Sequence, residues 1–215
     1  MLGMFMARRR MVAELERDGR LHDPALRRAF LRVRRHEFLP RAQRHLAYGV
    51  DAVEVLDEQT MTCPGFIAQM TELLEVTPGA RVLDVGTGTG YQAAILARMG
   101  CSVTGIEVRA SMHALALENL ARAGLGEVDV RLGDGALGAP DAAPFDAILL
   151  ACTPREIPAA LLDQLAPGGR LVAPEGDHER IQSLVRLRKT PGGIQREEVR
   201  AAWFVPMVTP ELVPQ

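Results

Sequence analysis

The residues with the plainest chemical use stand together at 81–90, RVLDVGTGTG. An acid, Asp84, is followed by glycines at alternate positions, Gly86, Gly88 and Gly90, with Thr87 between the first two. Glycine has no Cβ, so the chain can turn tightly there and a ligand can lie directly on the backbone. A second acid, Glu107, comes 17 positions after Gly90. A carboxylate at about that distance, closing the next strand, can accept both hydroxyl protons of a ribose diol. A third acid, Asp134, stands between Gly133 and Gly135. Together these residues suit a nucleoside cofactor.

The spacing narrows the choice. The dinucleotide fingerprint is G-x-G-x-x-G, and the bend here is one residue shorter. No Gly-Lys-Ser/Thr follows, so it is not a phosphate-binding P-loop. The form D-x-G-x-G-x-G after a strand resembles motif I of the S-adenosylmethionine-dependent methyltransferases. That resemblance implies S-adenosyl-L-methionine as cofactor, held by Asp84, Gly86, Thr87, Gly88, Gly90 and Glu107. It also implies that Asp134, with Gly135, accepts a hydrogen bond from the adenine amino group.

The elements that must position these groups follow from periodicity. Val82, Leu83 and Val85 read as a short buried strand, and 91–99 as the helix after the bend. Further strands are expected at 102–106, 128–132, 145–151 and 170–173. The run at 145–151 is almost wholly apolar, as a strand covered on both faces should be. Helices are expected at 111–123 and from Pro158, the latter broken at 167–169. Two last strands, 181–188 and 199–205, read as an antiparallel hairpin around Pro191-Gly192-Gly193. Before the bend, 4–17 fits a helix stopped by Gly19, and Asp23-Pro24 is a strong helix start. A helix from Pro64, capped by Thr62 or Cys63, buries Phe66, Ile67, Met70, Leu73 and Leu74 and ends at 77–79. The acidic stretch 48–62 has no clean period. Strand–helix alternation ending in a hairpin predicts an α/β fold: a doubly wound, mostly parallel sheet with an antiparallel C-terminal hairpin and an N-terminal helical addition. We expect residues 1–62 to form the N-terminal helices and substrate loop, and 63–215 the cofactor-binding core, in one compact unit.

Bulk properties exclude several classes. A net charge of −2 offers no global attraction to nucleic acid or an anionic membrane, and 4% aromatic residues advertise no base-stacking surface. The three cysteines, Cys63, Cys101 and Cys152, form no C-x-x-C and suit a reducing compartment without a disulfide frame or metal site. The apolar start of the chain is too short for a signal peptide, and no stretch reaches the ~18 apolar residues of a membrane span. A cytoplasmic monomer is expected.

Taken together, EQTMTCPGFIAQMTELLEVTPGARVLDVGTGTGYQAAILA, the later GDG, PFDAILLACTPREIPAALLDQLAPGGRLVAPEG and the terminal WFVPMV resemble the protein-L-isoaspartate (D-aspartate) O-methyltransferase family. The likeness covers residues 25–208, and its Gln-Thr-x-(Ser/Thr)-x-Pro element is specific to that family. It implies a seven-stranded, Rossmann-like methyltransferase sheet and methylation of the α-carboxylate of L-isoaspartyl residues in damaged proteins or peptides. A carboxylate is already ionised near neutral pH, so no general base is expected. The resemblance gives Thr62 the substrate-positioning hydroxyl, with Gln59 and Thr60 shaping the loop and Cys63, Phe204, Val205 and Pro206 on the peptide side. The chain departs from the family in the lead-in, GVDAVEVLDE where a Pro-rich, Gly-containing stretch is usual, and at four single positions. Thr62 replaces the usual Ser, Cys63 and Gly65 replace Gln and an aromatic residue, and Glu58 replaces Gly. A carboxylate at 58 would repel an anionic substrate unless turned away. Cys63 could be a nucleophile, but with no His near in sequence it reads better as a packed or helix-capping thiol. The altered loop leaves two other readings: a carboxyl methyltransferase acting on an aspartate of a dedicated peptide partner or on a small-molecule carboxylate, and a non-catalytic module that keeps the cofactor pocket.

Overall fold

The computed structural model describes residues 2–210. The chain opens with α1 (Leu2–Arg17), stopped where Gly19 takes φ +67°. In α2 (Pro24–Arg32) the Asp23 carboxylate accepts the N–H groups of Ala25 and Leu26 at 2.6 and 2.8 Å, satisfying two donors left open at a helix start. Two 3₁₀ turns follow, Arg35–Phe38 and Arg41–Leu46. The stretch without a period forms a small antiparallel hairpin, β1 (Val53–Glu54) and β2 (Thr60–Met61). Then α3 (Pro64–Leu74) begins at Cys63 and stops earlier than expected, at Glu75, which turns left-handed. The Glu75 carboxylate there meets Arg170 and Arg186 at 2.5 and 2.9 Å. Ala68 belongs to the buried stripe of α3, while Phe66 and Leu73 are only half-buried.

From there the chain alternates. Its elements are β3 (Arg81–Val85), α4 (Tyr91–Arg98), β4 (Ser102–Glu107), α5 (Ala110–Arg122), β5 (Asp129–Leu132), β6 (Phe145–Leu150), α6 (Ala159–Asp163), β7 (Leu165–Glu175), β8 (Gln182–Thr190) and β9 (Gly193–Ala202). One seven-stranded sheet has the order β5-β4-β3-β6-β7-β8-β9. The first five are parallel, and β8 and β9 are antiparallel additions. Among the described residues no helix is long and apolar enough to cross a membrane.

Successive side chains of a strand point to opposite faces, and the core splits accordingly. Val82, Ala147, Leu149 and Val172 face the N-terminal helices, α3, α4 and α5, packing with Phe30, Ile67, Ile95 and Leu120. Leu83, Val85, Ile148, Leu150 and Leu171 face the other side, with Leu161 of α6. Both faces of the central strands are therefore covered.

Several strand boundaries differ from expectation, β9 among them, which starts at Gly193 rather than at 199. The long strand β7 starts at Leu165, ahead of Pro167-Gly168-Gly169, because its pairing with β6 shifts register between Phe145 and Ala147. A Cβ on Gly169 would lie 2.9–3.1 Å from three backbone oxygens, so only glycine admits the irregularity. The last strand ends at Ala202, and residues 203–206 leave the sheet. Thr153 N–H donates to the Val205 carbonyl and Met207 N–H to the Thr153 carbonyl, both at 2.8 Å. Ile181, expected in β8, precedes it and is exposed.

Candidate functional site

Strands β3 and β6 are neighbours, but the chain winds away from them in opposite directions. At such a reversal the loops leaving the strand ends separate and open a crevice. The cavity there is lined by the bend after β3, Gly86 to Thr89, and by Glu107 to Arg109, Gly135 and Cys152. The hairpin β1–β2 contributes Gln59 to Thr62, and the segment after β9 contributes Phe204, Val205 and Pro206. Residues spread over most of the sequence thus share one wall.

The bend is built for close approach. Gly86, Gly88 and Gly90 take φ of +79°, +58° and +84°, which side chains with a Cβ rarely adopt. The Thr87 hydroxyl donates to the Asp84 carbonyl at 3.0 Å. Glu107, buried at the end of β4, ties the bend to the next loop. Its Oε2 accepts Gly88 N–H at 2.8 Å and its Oε1 accepts Arg109 N–H at 3.0 Å. Each oxygen keeps a lone pair for a hydroxyl donor. Gly135 has no room for a side chain, since its Cβ would fall 2.5 Å from Val85 Cγ1.

Not every residue expected at the cofactor lies on the cavity wall: Asp84, Gly90 and Asp134 do not. Gly90 is spent on packing, with the place of its Cβ 3.1 Å from Leu120 of α5. Asp134 caps the turn Gly135–Leu137, its Oδ1 accepting Ala136 N–H at 2.8 Å, and it is Gly135 that reaches the wall. Asp84 is wholly buried and neither carboxyl oxygen has a hydrogen-bond partner. Burial, and next the charge of Glu107, raise its pKa from 3.8 to about 7. The native state thus holds a proton that the unfolded chain has lost, and stability is lost as pH rises from about 4 to about 7. We expect Asp84 to cost the wild type about 2 kcal/mol between pH 5 and pH 7, the slope of ~1.4 kcal/mol per pH unit falling by half as pH reaches the native pKa. Asp84→Asn should flatten that slope. Urea midpoints at the two pH values measure it, and parallel pH slopes for the two proteins would refute the assignment.

The substrate loop is held by backbone bonds. Val55 N–H donates to the Gln59 carbonyl and Gln59 N–H to the Leu56 carbonyl, both at 2.9 Å. The two residues between, Asp57 and Glu58, take φ of +52° and +58°. A left-handed pair explains why glycine is at home at 58. The Glu58 side chain is exposed and outside the cavity lining, so its charge faces solvent rather than the site. Left-handed geometry costs a non-glycine residue about 1–2 kcal/mol. Glu58→Gly should therefore stabilise the protein by about 1 kcal/mol, a rise of about 2–4 °C in Tm for a chain of this size. A fall in Tm on calorimetry would contradict that reading.

Thr62 lines the cavity, and its hydroxyl has no hydrogen-bond partner among the described residues. Cys63 is the N-cap of α3 by backbone geometry, φ −60° and ψ 150°, without a side-chain bond, and does not line the cavity. Phe204 packs edge-on to Phe66 with centroids 5.3 Å apart. The buried Gln182 pins it: Gln182 Oε1 accepts Phe204 N–H at 2.7 Å and the Thr153 hydroxyl at 3.1 Å.

Among the wall residues that sequence reasoning missed are Tyr91, Arg109, Met112 and Cys152. Their signal was position: Tyr91 opens the helix after the bend, and Cys152 follows the carboxyl end of β6. Burial, and then Glu107 and Asp84, push the Cys152 thiol up to about 12, so it stays protonated and is no nucleophile. Another missed residue, Arg35, lies behind the wall.

Comparison with known proteins matches the family model "Protein-L-isoaspartate(D-aspartate) O-methyltransferase (PCMT)" over residues 6–212. A curated relative from Anaeromyxobacter sp., named protein-L-isoaspartate O-methyltransferase 2, is 42% identical over 93% of this chain and 82% of its own. A solved structure named protein-L-isoaspartate O-methyltransferase superposes with a TM-score of 0.85 at 26% identity. The match covers 94% of this chain and 66% of that longer one. A Plasmodium falciparum structure, described as a putative protein-L-isoaspartate O-methyltransferase in complex with S-adenosyl-L-homocysteine, shares the fold with a TM-score of 0.80. It is 24% identical, over 92% of this chain and 96% of its own.

Proposed function

Because the chain belongs to the protein-L-isoaspartate (D-aspartate) O-methyltransferase family, we propose that it methylates the α-carboxylate of L-isoaspartyl residues in damaged proteins or peptides, using S-adenosyl-L-methionine. The ester then closes to a succinimide without enzyme help, and hydrolysis returns some normal aspartate. The observation that carries this reading is a shared cavity. The glycine bend, Glu107 and the Gln59-Thr60-Met61-Thr62 segment line the same space.

The residues present fit the cofactor. Three left-handed glycines leave a bare backbone at the end of β3, and Glu107 stands beside it with acceptor capacity to spare. Gly86, Thr87, Gly88 and Glu107 would hold the adenosyl part, with Gly135 against it from the other side. Asp84, Gly90 and Asp134 support that cradle from outside the wall. When bound, S-adenosylmethionine supplies an electrophilic sulfonium methyl.

The chain's own task is placement. An isoaspartyl carboxylate arrives ionised, so no side chain need take its proton. The Thr62 hydroxyl donates a hydrogen bond to one carboxylate oxygen and leaves the other free to attack. Gln59 and Thr60 shape the hairpin that carries Thr62, while Phe204, Val205 and Pro206 line the peptide side. Alignment of this kind accounts for much of a methyl transfer's acceleration, and closing the wall around it keeps water out. Residues 1–62 serve as helical cap and substrate loop on a 63–215 core, and the protein works as a cytoplasmic monomer without nucleic acid or membrane.

The test is methyl incorporation from labelled S-adenosylmethionine into an isoaspartyl peptide, its normal aspartyl twin and a panel of small carboxylates. Repair methylation predicts label in the first alone. Equal labelling of the twin, or label only in small carboxylates, would transfer the assignment to a tailoring or small-molecule enzyme. Cofactor binding with no labelling at all would leave a binding module.

A further inference from the structure

Arg35 carries a charge that the reading above leaves unused. It lies in the turn Arg35–Phe38 and is 0% exposed. Its donors go to main-chain carbonyls rather than to a carboxylate. Nε donates to the Ala47 carbonyl and Nη2 to the Thr62 carbonyl, each at 2.8 Å. The guanidinium carbon lies 4.9 Å from the centre of the Tyr91 ring, and Nη1 is buried without a partner. Burial is the main force on this group and lowers its pKa from the usual arginine value. A buried charge is destabilising unless paired, and replacement by an apolar side chain is often neutral or better. Simple packing therefore does not explain an arginine here.

Its contacts do. The planar fork bonds in two fixed directions, which a lysine cannot match. One direction holds Ala47, where the second 3₁₀ turn ends. The other holds the Thr62 carbonyl, the hinge between the hairpin β1–β2 and the start of α3. The ring below belongs to Tyr91, the first residue after the glycine bend. One side chain thus joins the acceptor segment to the cofactor segment. We propose that Arg35 is a positioning residue for methyl transfer: by clamping the Thr62 carbonyl against Tyr91 it aims the Thr62 hydroxyl at the substrate carboxylate, touching neither substrate nor cofactor. This rests on the role given to Thr62 above.

The experiment is a double-mutant cycle of Arg35→Lys with Thr62→Val, read with an isoaspartyl peptide and labelled S-adenosylmethionine. Binding of S-adenosylhomocysteine and Tm are measured on the same proteins. Arg35→Lys should lower kcat about 10- to 100-fold, the scale of a small misplacement of the reacting groups. Affinity for S-adenosylhomocysteine should stay within about twofold. In the Thr62→Val background the same change should cost less than about threefold, because the hydroxyl it aims is gone. A merely structural arginine would give equal losses in both backgrounds, or a parallel loss of cofactor affinity, and either overturns the proposal. If the lysine variant does not fold, Arg35→Gln keeps a donor without the buried charge and gives the same comparison. Wild-type kcat in folded Arg35→Lys sinks the positioning role alone. A wild type that labels no isoaspartyl peptide sinks the functional reading and this role with it.

Discussion

Glu107→Ala weakens S-adenosylhomocysteine binding about a hundredfold or more, by calorimetric titration. The carboxylate lines the cavity and already accepts the N–H groups of Gly88 and Arg109. It stands where a ribose diol would offer two further donors. Hydrogen bonds to a charged group contribute about 1.5–3 kcal/mol each, so two of them lost together reach that scale. The substitution also frees Gly88 and loosens the bend, which adds to the loss. Because the Glu107 charge is the second cause of the raised Asp84 pKa, Asp84 should ionise at lower pH in the same variant. Glu107→Gln separates shape from charge. It fills the same volume but presents an amide donor toward backbone N–H groups, and should fall between wild type and alanine. An unchanged dissociation constant in Glu107→Ala would remove Glu107 from the cofactor site.

The second large effect is on turnover. Thr62→Val is close to isosteric and deletes only the hydroxyl. That hydroxyl makes no hydrogen bond among the described residues, so its loss should leave the fold intact. With the donor gone, a carboxylate in the cavity loses its orientation. We expect kcat to fall about 10- to 100-fold, with S-adenosylhomocysteine affinity within about twofold. Thr62→Ser keeps the hydroxyl and should stay within about threefold of wild type. Steady-state kinetics with one isoaspartyl peptide measure all three. A valine variant with wild-type kcat would show that some other group holds the acceptor.

What the sequence made legible is what local chemistry dictates. Asp23-Pro24 starts a helix whatever surrounds it, and the D-x-G-x-G-x-G bend announces itself because few other residues could take those angles. Apolar runs at 82–85 and 145–150 had to be central strands, and they are. The misses depend on partners distant in the chain. Pro167-Gly168-Gly169 looks like a break, yet it lies inside β7 because the β6 backbone comes too close for any side chain at Gly169. Most of β9 is exposed, so its strand has little hydrophobic signal and follows from the ladder with β8. Phe204 and Val205 line the cavity on the peptide side as expected, but from beyond the last strand rather than its end, held there by the bridge between Pro206 and Thr153. That Asp134, named for the adenine amino group, also caps a turn was not legible: a carboxylate just ahead of a 3₁₀ turn is drawn to a turn N–H, here that of Ala136. Arg35 is invisible in a run of charges, Arg34-Arg35-His36-Glu37, until the fold shows that one member of it points inward.

The central claim is that one cavity presents a sulfonium methyl to a carboxylate held by Thr62. The most direct measurement is a crystal structure of the protein with S-adenosylhomocysteine and an isoaspartyl peptide. The account predicts ribose hydroxyls on Glu107, sulfur facing the Gln59 to Thr62 segment, and the isoaspartyl α-carboxylate within hydrogen-bond distance of Thr62 Oγ1. A ribose away from Glu107, or a peptide carboxylate held elsewhere while Thr62 faces empty space, would contradict it.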